Sequence, residues 1–169
     1  VRGLADALVV VDDGSTDRTG EIARAFADPR IRYLRTENCG LAAARNAGIA
    51  ASTGEAIAFL DADDTWEPCK SRKQLAYLDR NPRCALVFCD VYRIDESGER
   101  LGPVLGPRVH DVPEGRCLEK LFLGNFVLVP GVVLRSSALA RVGGFAESRA
   151  AVEDCDMGLR IAAVAELGV

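Results

Sequence analysis

Hydrophobic and polar positions alternate between two regimes along this chain. Leu8-Val9-Val10-Val11 is an unbroken apolar run that ends in Asp12-Asp13-Gly14-Ser15. Such a run, closed by a turn signal, predicts a strand buried on both faces. From Thr16 or Asp17 the spacing becomes helical. Ile22, Ala25 and Phe26 share a face, Ser15 or Thr16 is the expected cap, and Asp28-Pro29 the stop. Ile31 to Leu34 reads as a strand, Leu41 to Ala51 as an Ala-rich helix, and Ala56 to Leu60 as a second buried strand. That strand delivers Asp61-Ala62-Asp63-Asp64. A helix is predicted from Pro68 to Leu78, a strand from Ala85 to Tyr92 and a turn at Glu96-Ser97-Gly98. Residues 102 to 115 carry no clear element. Arg116 to Leu123 reads as helix, Gly131 to Leu134 as strand, Ser136 to Val142 as helix and Glu153 to Glu166 as a final helix. Strands alternating with helices imply an α/β fold, a Rossmann-like and mostly parallel sheet flanked by helices.

Composition narrows the functional classes. A length of 169 residues fits one domain, and 49% hydrophobic with 27% charged residues is ordinary globular material. A net charge of −4 supplies no basic field for nucleic acid. No apolar run approaches the ~20 residues of a membrane helix. The chain does not begin with Met and its only Met is Met157, so a piece of a longer protein is expected. Cys39, Cys69, Cys84, Cys89, Cys117 and Cys155 form no CxxC pair, and His110 is the one histidine, so zinc spacing is absent. Most of the cysteines are expected as small buried residues of a reducing compartment, which points to the cytoplasm.

Ligands of open α/β sheets collect beyond the carboxyl ends of the strands. Asp12-Asp13 and Asp61-x-Asp63-Asp64 both end predicted strands. Gathering those carboxylates at one sheet edge is electrostatically costly without a neutralising cation. An oxygen-only ligand set favours Mg²⁺ or Mn²⁺, which takes one or two carboxylates and completes its shell with phosphate and water. A phosphate-bearing substrate is implied.

The runs VVVDDGSTDRT and ENCGLAAARNAGIAASTGEAIAFLDADD, covering residues 8 to 66, resemble the family 2 glycosyltransferases, which have the GT-A fold. RSSALARVGGF and VEDCDMGLRI, at 131 to 165, are similar to the acceptor-side half of that family, whereas 67 to 130 match loosely. The resemblance implies a single glycosyltransferase domain over 1–169, with a donor nucleotide and metal half at 1–66 and an acceptor-side half at 67–169. It also implies clipping at both ends, because relatives open with a further strand and helix. By the resemblance, Asp13 would meet the donor base, commonly uracil, and Gly40 would allow close backbone approach. Arg45 would pair with phosphate or brace the acidic turn. Asp61 and Ala62 would lie at the donor, with Asp61 near ribose or metal, Asp63 on the metal and Asp64 sharing either task. Asp154, with Glu153 second, would be the general base of an inverting transfer; Asp156 would be solvated. Trp66 reads as a core or rim aromatic, with the lining of the sugar pocket as its alternative, and Gly143-Gly144-Phe145 resembles an acceptor-side loop. The implied partners are a UDP-sugar and a saccharide, lipid-linked or protein acceptor, at a cytoplasmic site or peripherally at the inner membrane face, in polysaccharide biosynthesis.

Two other readings compete. Asp61-Ala62-Asp63-Asp64-Thr65 also spells the DxDxT of haloacid dehalogenase-type phosphohydrolases, with Asp61 as nucleophile. A non-catalytic sugar-nucleotide-binding piece would share the same motifs without turnover.

Overall fold

A computed structural model describes residues 6–106, 111–148 and 152–169. His110 lies outside the described residues. The first apolar run forms β1 (Leu8–Asp13), where Leu8 to Val11 are half-buried and not buried on both faces as expected, and its parallel neighbour is β2 (Ile31–Thr36). Their register sets Asp12 opposite Arg35 and Asp13 opposite Thr36, so the strand pairing itself fixes partners for both acids. Helix α1 (Thr19–Arg24) joins them and is shorter than expected. Its entry is made by Asp17, whose Oδ1 accepts from Thr19 N at 2.9 Å, not by a cap from Ser15 or Thr16. The expected apolar face of α1 is also corrected. Ile22 and Phe26 are exposed, since amphipathic spacing alone supplies no partner surface.

Helix α2 (Leu41–Ala51) packs on β1, with Gly48 close to Val11. Strand β3 (Ala56–Ala58) ends before Leu60, and Phe59 turns to meet the Phe145 ring edge-on at 5.1 Å. Helix α3 (Lys70–Arg80) crosses to β4 (Cys84–Val87). The strand expected to reach Tyr92 is split, because Asp90 turns the chain by accepting from Val91 N, Leu105 N and Gly106 N. Beyond it β5 (Tyr92–Ile94) and β6 (Arg100–Pro103) pair as an antiparallel hairpin, partly within the stretch expected to lack structure. Its turn is closed by Asp95, which takes Ser97 N and Glu99 N.

Helix α4 (Leu118–Leu123) and a 3-10 turn (Val129–Gly131) lead to β7 (Val133–Arg135). The expected α/β fold stands, and its sheets combine parallel with antiparallel pairing. The central sheet has the order β3-β7-β4-β8, and β7 runs antiparallel to both neighbours. The cause is local. Gly131, just before β7, accepts from Cys89 N at 3.3 Å just past the end of β4, so β7 starts where β4 stops and runs back. A Cβ on Gly131 would come within 2.6 Å of Cys89 O, and only glycine admits that approach. Gln74 Nε2 on α3 donates to Gly131 O at 2.7 Å and anchors the same corner.

Helix α5 (Ser136–Val142) and helix α6 (Glu153–Val164) follow. The last helix stops short of Glu166, and β8 (Glu166–Gly168) instead adds a parallel strand to β4. One core holds the second half together: Leu86 and Phe88 by β4, Leu121 of α4, Leu134 of β7, and Met157 and Ile161 of α6. Ala42 and Ile49 of α2 pack against it, so α2 touches both β1 and the main core. Among the described residues no helix is long and apolar enough to cross a membrane. Burial of most cysteines is corrected: Cys84 and Cys117 are buried, Cys69, Cys89 and Cys155 half-buried and Cys39 exposed, all six as free thiols.

Candidate active site

The acids of the first turn point to different tasks. Asp12 is buried, and its Oδ2 accepts from Tyr33 Oη at 2.5 Å and Arg35 Nη1 at 2.9 Å while Oδ1 takes Ser15 N at 2.8 Å. The Tyr33 hydroxyl first, then Ser15 and the Arg35 charge, hold this carboxyl far below the usual carboxylate range. Asp13 is half-buried. Its Oδ1 accepts from Thr36 Oγ1 at 2.6 Å and Cys39 N at 2.8 Å, and its Oδ2 from Gly40 N at 2.8 Å. The Thr36 hydroxyl, followed by these amides, lowers its pKa. Asp13 thus fastens the loop that enters α2, in which Asn38 and Gly40 have φ of 52° and 90°. At Gly40 the positive φ is what asks for glycine, since a Cβ would meet no protein atom within 4 Å.

The two acidic turns follow strands of different sheets, β1 paired with β2 and β3 with β7, and not one sheet edge as expected. Asp12 and Asp13 are each satisfied by donors of β2 and its loop, and among the described residues no three His, Cys, Asp or Glu side chains gather to hold a metal. The second turn remains a carboxylate cluster. Asp63 is exposed and Ala62 beside it faces solvent, whereas Asp61 and Asp64 are half-buried. Burial, then the negative charges of Asp61 and Asp63, raise the pKa of Asp64. An all-oxygen set that repels itself fits a divalent cation holding one or two of these carboxylates, the remaining positions going to oxygens the chain does not supply.

Arg45, on the second turn of α2, joins this cluster to the far end of the chain. Its Nη2 lies 3.0 Å from both oxygens of Asp61, and its Nη1 lies 3.2 Å from Glu153 Oε1. Of the two roles left open for Arg45, the structure shows the brace. The Arg45 and Glu153 side chains are 9% and 10% exposed, so water screens this pair little. Asp154, the next residue, is half-buried, and its Oδ1 accepts from Cys155 N at 2.6 Å. Asp156 is not solvated: Arg160 Nε donates to its Oδ2 at 2.8 Å, and the same guanidinium reaches Val142 O and Gly144 O.

Asn46, which the motifs did not single out, completes the arrangement. Asn46 binds both backbone groups of Phe145 and also Glu147 Oε1. Gly144 is a glycine for the same reason, because a Cβ there would overlap Asn46 Oδ1. Arg45 stacks on the Phe145 ring at 5.2 Å. The only available sequence signal for Asn46 was its place inside the AARN run. Trp66 donates from Nε1 to Pro130 O at 3.0 Å and carries Lys70 Nζ over its ring at 4.2 Å, which makes it a rim residue. Burial pulls the Lys70 amine down to about 8.

Comparison with known proteins agrees with this geometry. The profile of Glycosyl transferase family 2 matches residues 3–142. The putative glycosyltransferase EpsH of Bacillus subtilis is 34% identical over 123 residues, which are 70% of this chain and 35% of EpsH. An uncharacterized glycosyltransferase of Rickettsia bellii is 32% identical over 162 residues, 95% of this chain and 23% of that protein. The chain therefore spans about a third of the first relative and a quarter of the second. Among solved structures, S. aureus TarS 1-349 in complex with UDP superposes with a TM-score of 0.72 at 19% identity, over 95% of this chain and 48% of that one. The mannosyltransferase PcManGT of Pyrobaculum calidifontis in complex with GDP-Man and Mn²⁺ gives 0.72 at 23% identity, over 96% and 45%. With the profile covering most of its length, and the strand-end acids, α2 and the α6 acids arranged on a GT-A fold, the chain belongs to glycosyl transferase family 2.

Proposed function

We propose that this chain is the catalytic core of an inverting transferase that moves a sugar from a nucleotide diphosphate donor, a UDP-sugar, to an acceptor hydroxyl. The observation that carries this reading is the Arg45 fork, which brings the Asp61 strand end and the Glu153-Asp154 helix start into one site. The relatives named above are glycosyltransferases, and the UDP and GDP-Man complexes of two structural neighbours support a nucleotide-linked donor.

Asp13 and the Gly40 backbone border the nucleobase, and Asp61 the ribose. Asp63, with Asp61 or Asp64, would hold Mn²⁺ or Mg²⁺. When bound, that cation supplies Lewis-acid stabilisation of the departing diphosphate. Asp154 accepts the proton of the acceptor hydroxyl as its oxygen bonds to the anomeric carbon and the bond to the diphosphate breaks. Displacement from the face opposite the leaving group inverts that carbon. Against a phosphohydrolase stands the family match. The two halves, 1–66 for donor and 67–169 for acceptor, act at a cytoplasmic or inner-membrane site on a saccharide, lipid-linked or protein acceptor. Release of UDP from a panel of sugar nucleotides and acceptors, run beside phosphate release from a generic phosphoester, tests the reading. UDP release that requires an acceptor supports it; phosphate release alone, or no turnover of any donor by the whole protein, overturns it.

A further inference from the structure

The geometry points to Glu153 and Arg45 as a positioning pair that sets the base carboxylate of Asp154 against the donor turn without touching substrate. This inference rests on the transferase reading given above.

Three observations carry it. First, Glu153 is 7% exposed and engaged by Arg45 Nη1, so it is turned into the protein and away from any acceptor, while its neighbour Asp154 is half-open. Second, Arg45 is almost fully buried with its Nε lacking a hydrogen-bond partner among the described residues. A guanidinium desolvated to that degree, with one donor left unused, is held in place for its two forked partners. Third, the same helix clamps the intervening loop: Asn46 binds Phe145 N and O, and Phe145 lies under the Arg45 guanidinium. One rigid element, α2, therefore carries the donor-side acid and the start of α6 in a fixed relation. Lysine could not replace the fork, since a single ammonium cannot face Asp61 and Glu153 with planar paired donors.

The pair and a plain structural role make different kinetic statements. Glu153→Gln removes the charge that Arg45 grips but leaves Arg45 on Asp61. In the whole protein kcat per folded molecule should fall at least tenfold, with donor KM within about threefold of wild type, because only the transition-state geometry is lost. Arg45→Lys should lower kcat to a similar extent and also weaken donor binding, through Asp61. The double variant should be no slower in kcat than Arg45→Lys alone, since both changes break one coupling. Amide exchange of the first turn of α6 should quicken in both single variants, a readout that needs no activity. If wild type transfers no sugar yet exchange quickens, the transferase reading has failed and the mechanical coupling stands. Full kcat in Glu153→Gln, or a double variant whose losses multiply, overturns the positioning pair.

Discussion

Asn46 and Phe145 exchange two hydrogen bonds across the molecule: Phe145 N donates to Asn46 Oδ1 at 2.8 Å, and Asn46 Nδ2 donates to Phe145 O at 2.9 Å. A side-chain amide thus imitates one rung of strand pairing and ties α2 to the loop before α6. Asn46→Ala should leave both Phe145 backbone groups without partners and cost about 1–3 kcal/mol. Asn46→Asp should be at least as harmful, because it turns a carboxylate toward Phe145 O and Glu147. Urea unfolding of the three proteins checks this, and an aspartate variant as stable as wild type would refute the assignment.

Donor binding should depend on a divalent cation. Asp64 is crowded by Asp61 and Asp63, and a divalent cation would relieve that repulsion. UDP should bind markedly better in Mn²⁺ or Mg²⁺ than in EDTA by calorimetry, and Asp63→Asn should erase that difference and nothing else. Equal affinity in both buffers would remove the metal role.

Asp154→Asn should leave UDP and metal affinity nearly unchanged while transfer falls by about a hundredfold or more, the usual scale for losing a general base. Full activity in this variant would remove Asp154 as the base.

The acid limb of stability should be governed in part by Asp12. Its folded pKa lies below the unfolded value near 4, so its stabilising effect is complete above that pH and is lost as pH falls through the window below it. Asp12→Asn should lower Tm at pH 7 and flatten the fall in Tm between about pH 5 and pH 3. The wild-type slope persisting in the variant would show that other carboxylates govern the limb.

Much of the site could be read along the chain because its carriers are local. An apolar strand must end somewhere, and an acidic turn at that end, as at Asp13 and Asp61, is a pattern of neighbours. The same holds for α2, whose alanines and following Ser-Thr-Gly state their own limits. Elements without such periodicity escaped. β5 and β6 are exposed, three- and four-residue strands, and β8 was hidden by a helical pattern that runs on into it. The face of Ile22 and Phe26 misled for the opposite reason, since amphipathic spacing does not say whether a partner surface exists.

The residue types at the strand ends, their order and the carboxylate chemistry they permit were legible in one dimension, because backbone propensity and turn chemistry act between near neighbours. Which acid does which task was not. Asp12 and Asp13 are adjacent and chemically identical, and so nearly are Glu153 and Asp154. They part company only when β2 brings Tyr33, Arg35 and Thr36 alongside the first pair, and α2 brings Arg45 to Glu153. Charge and hydrogen-bond partners are set by distance in space, and the partner of Glu153 lies 108 residues away along the chain, so only the folded arrangement could assign it.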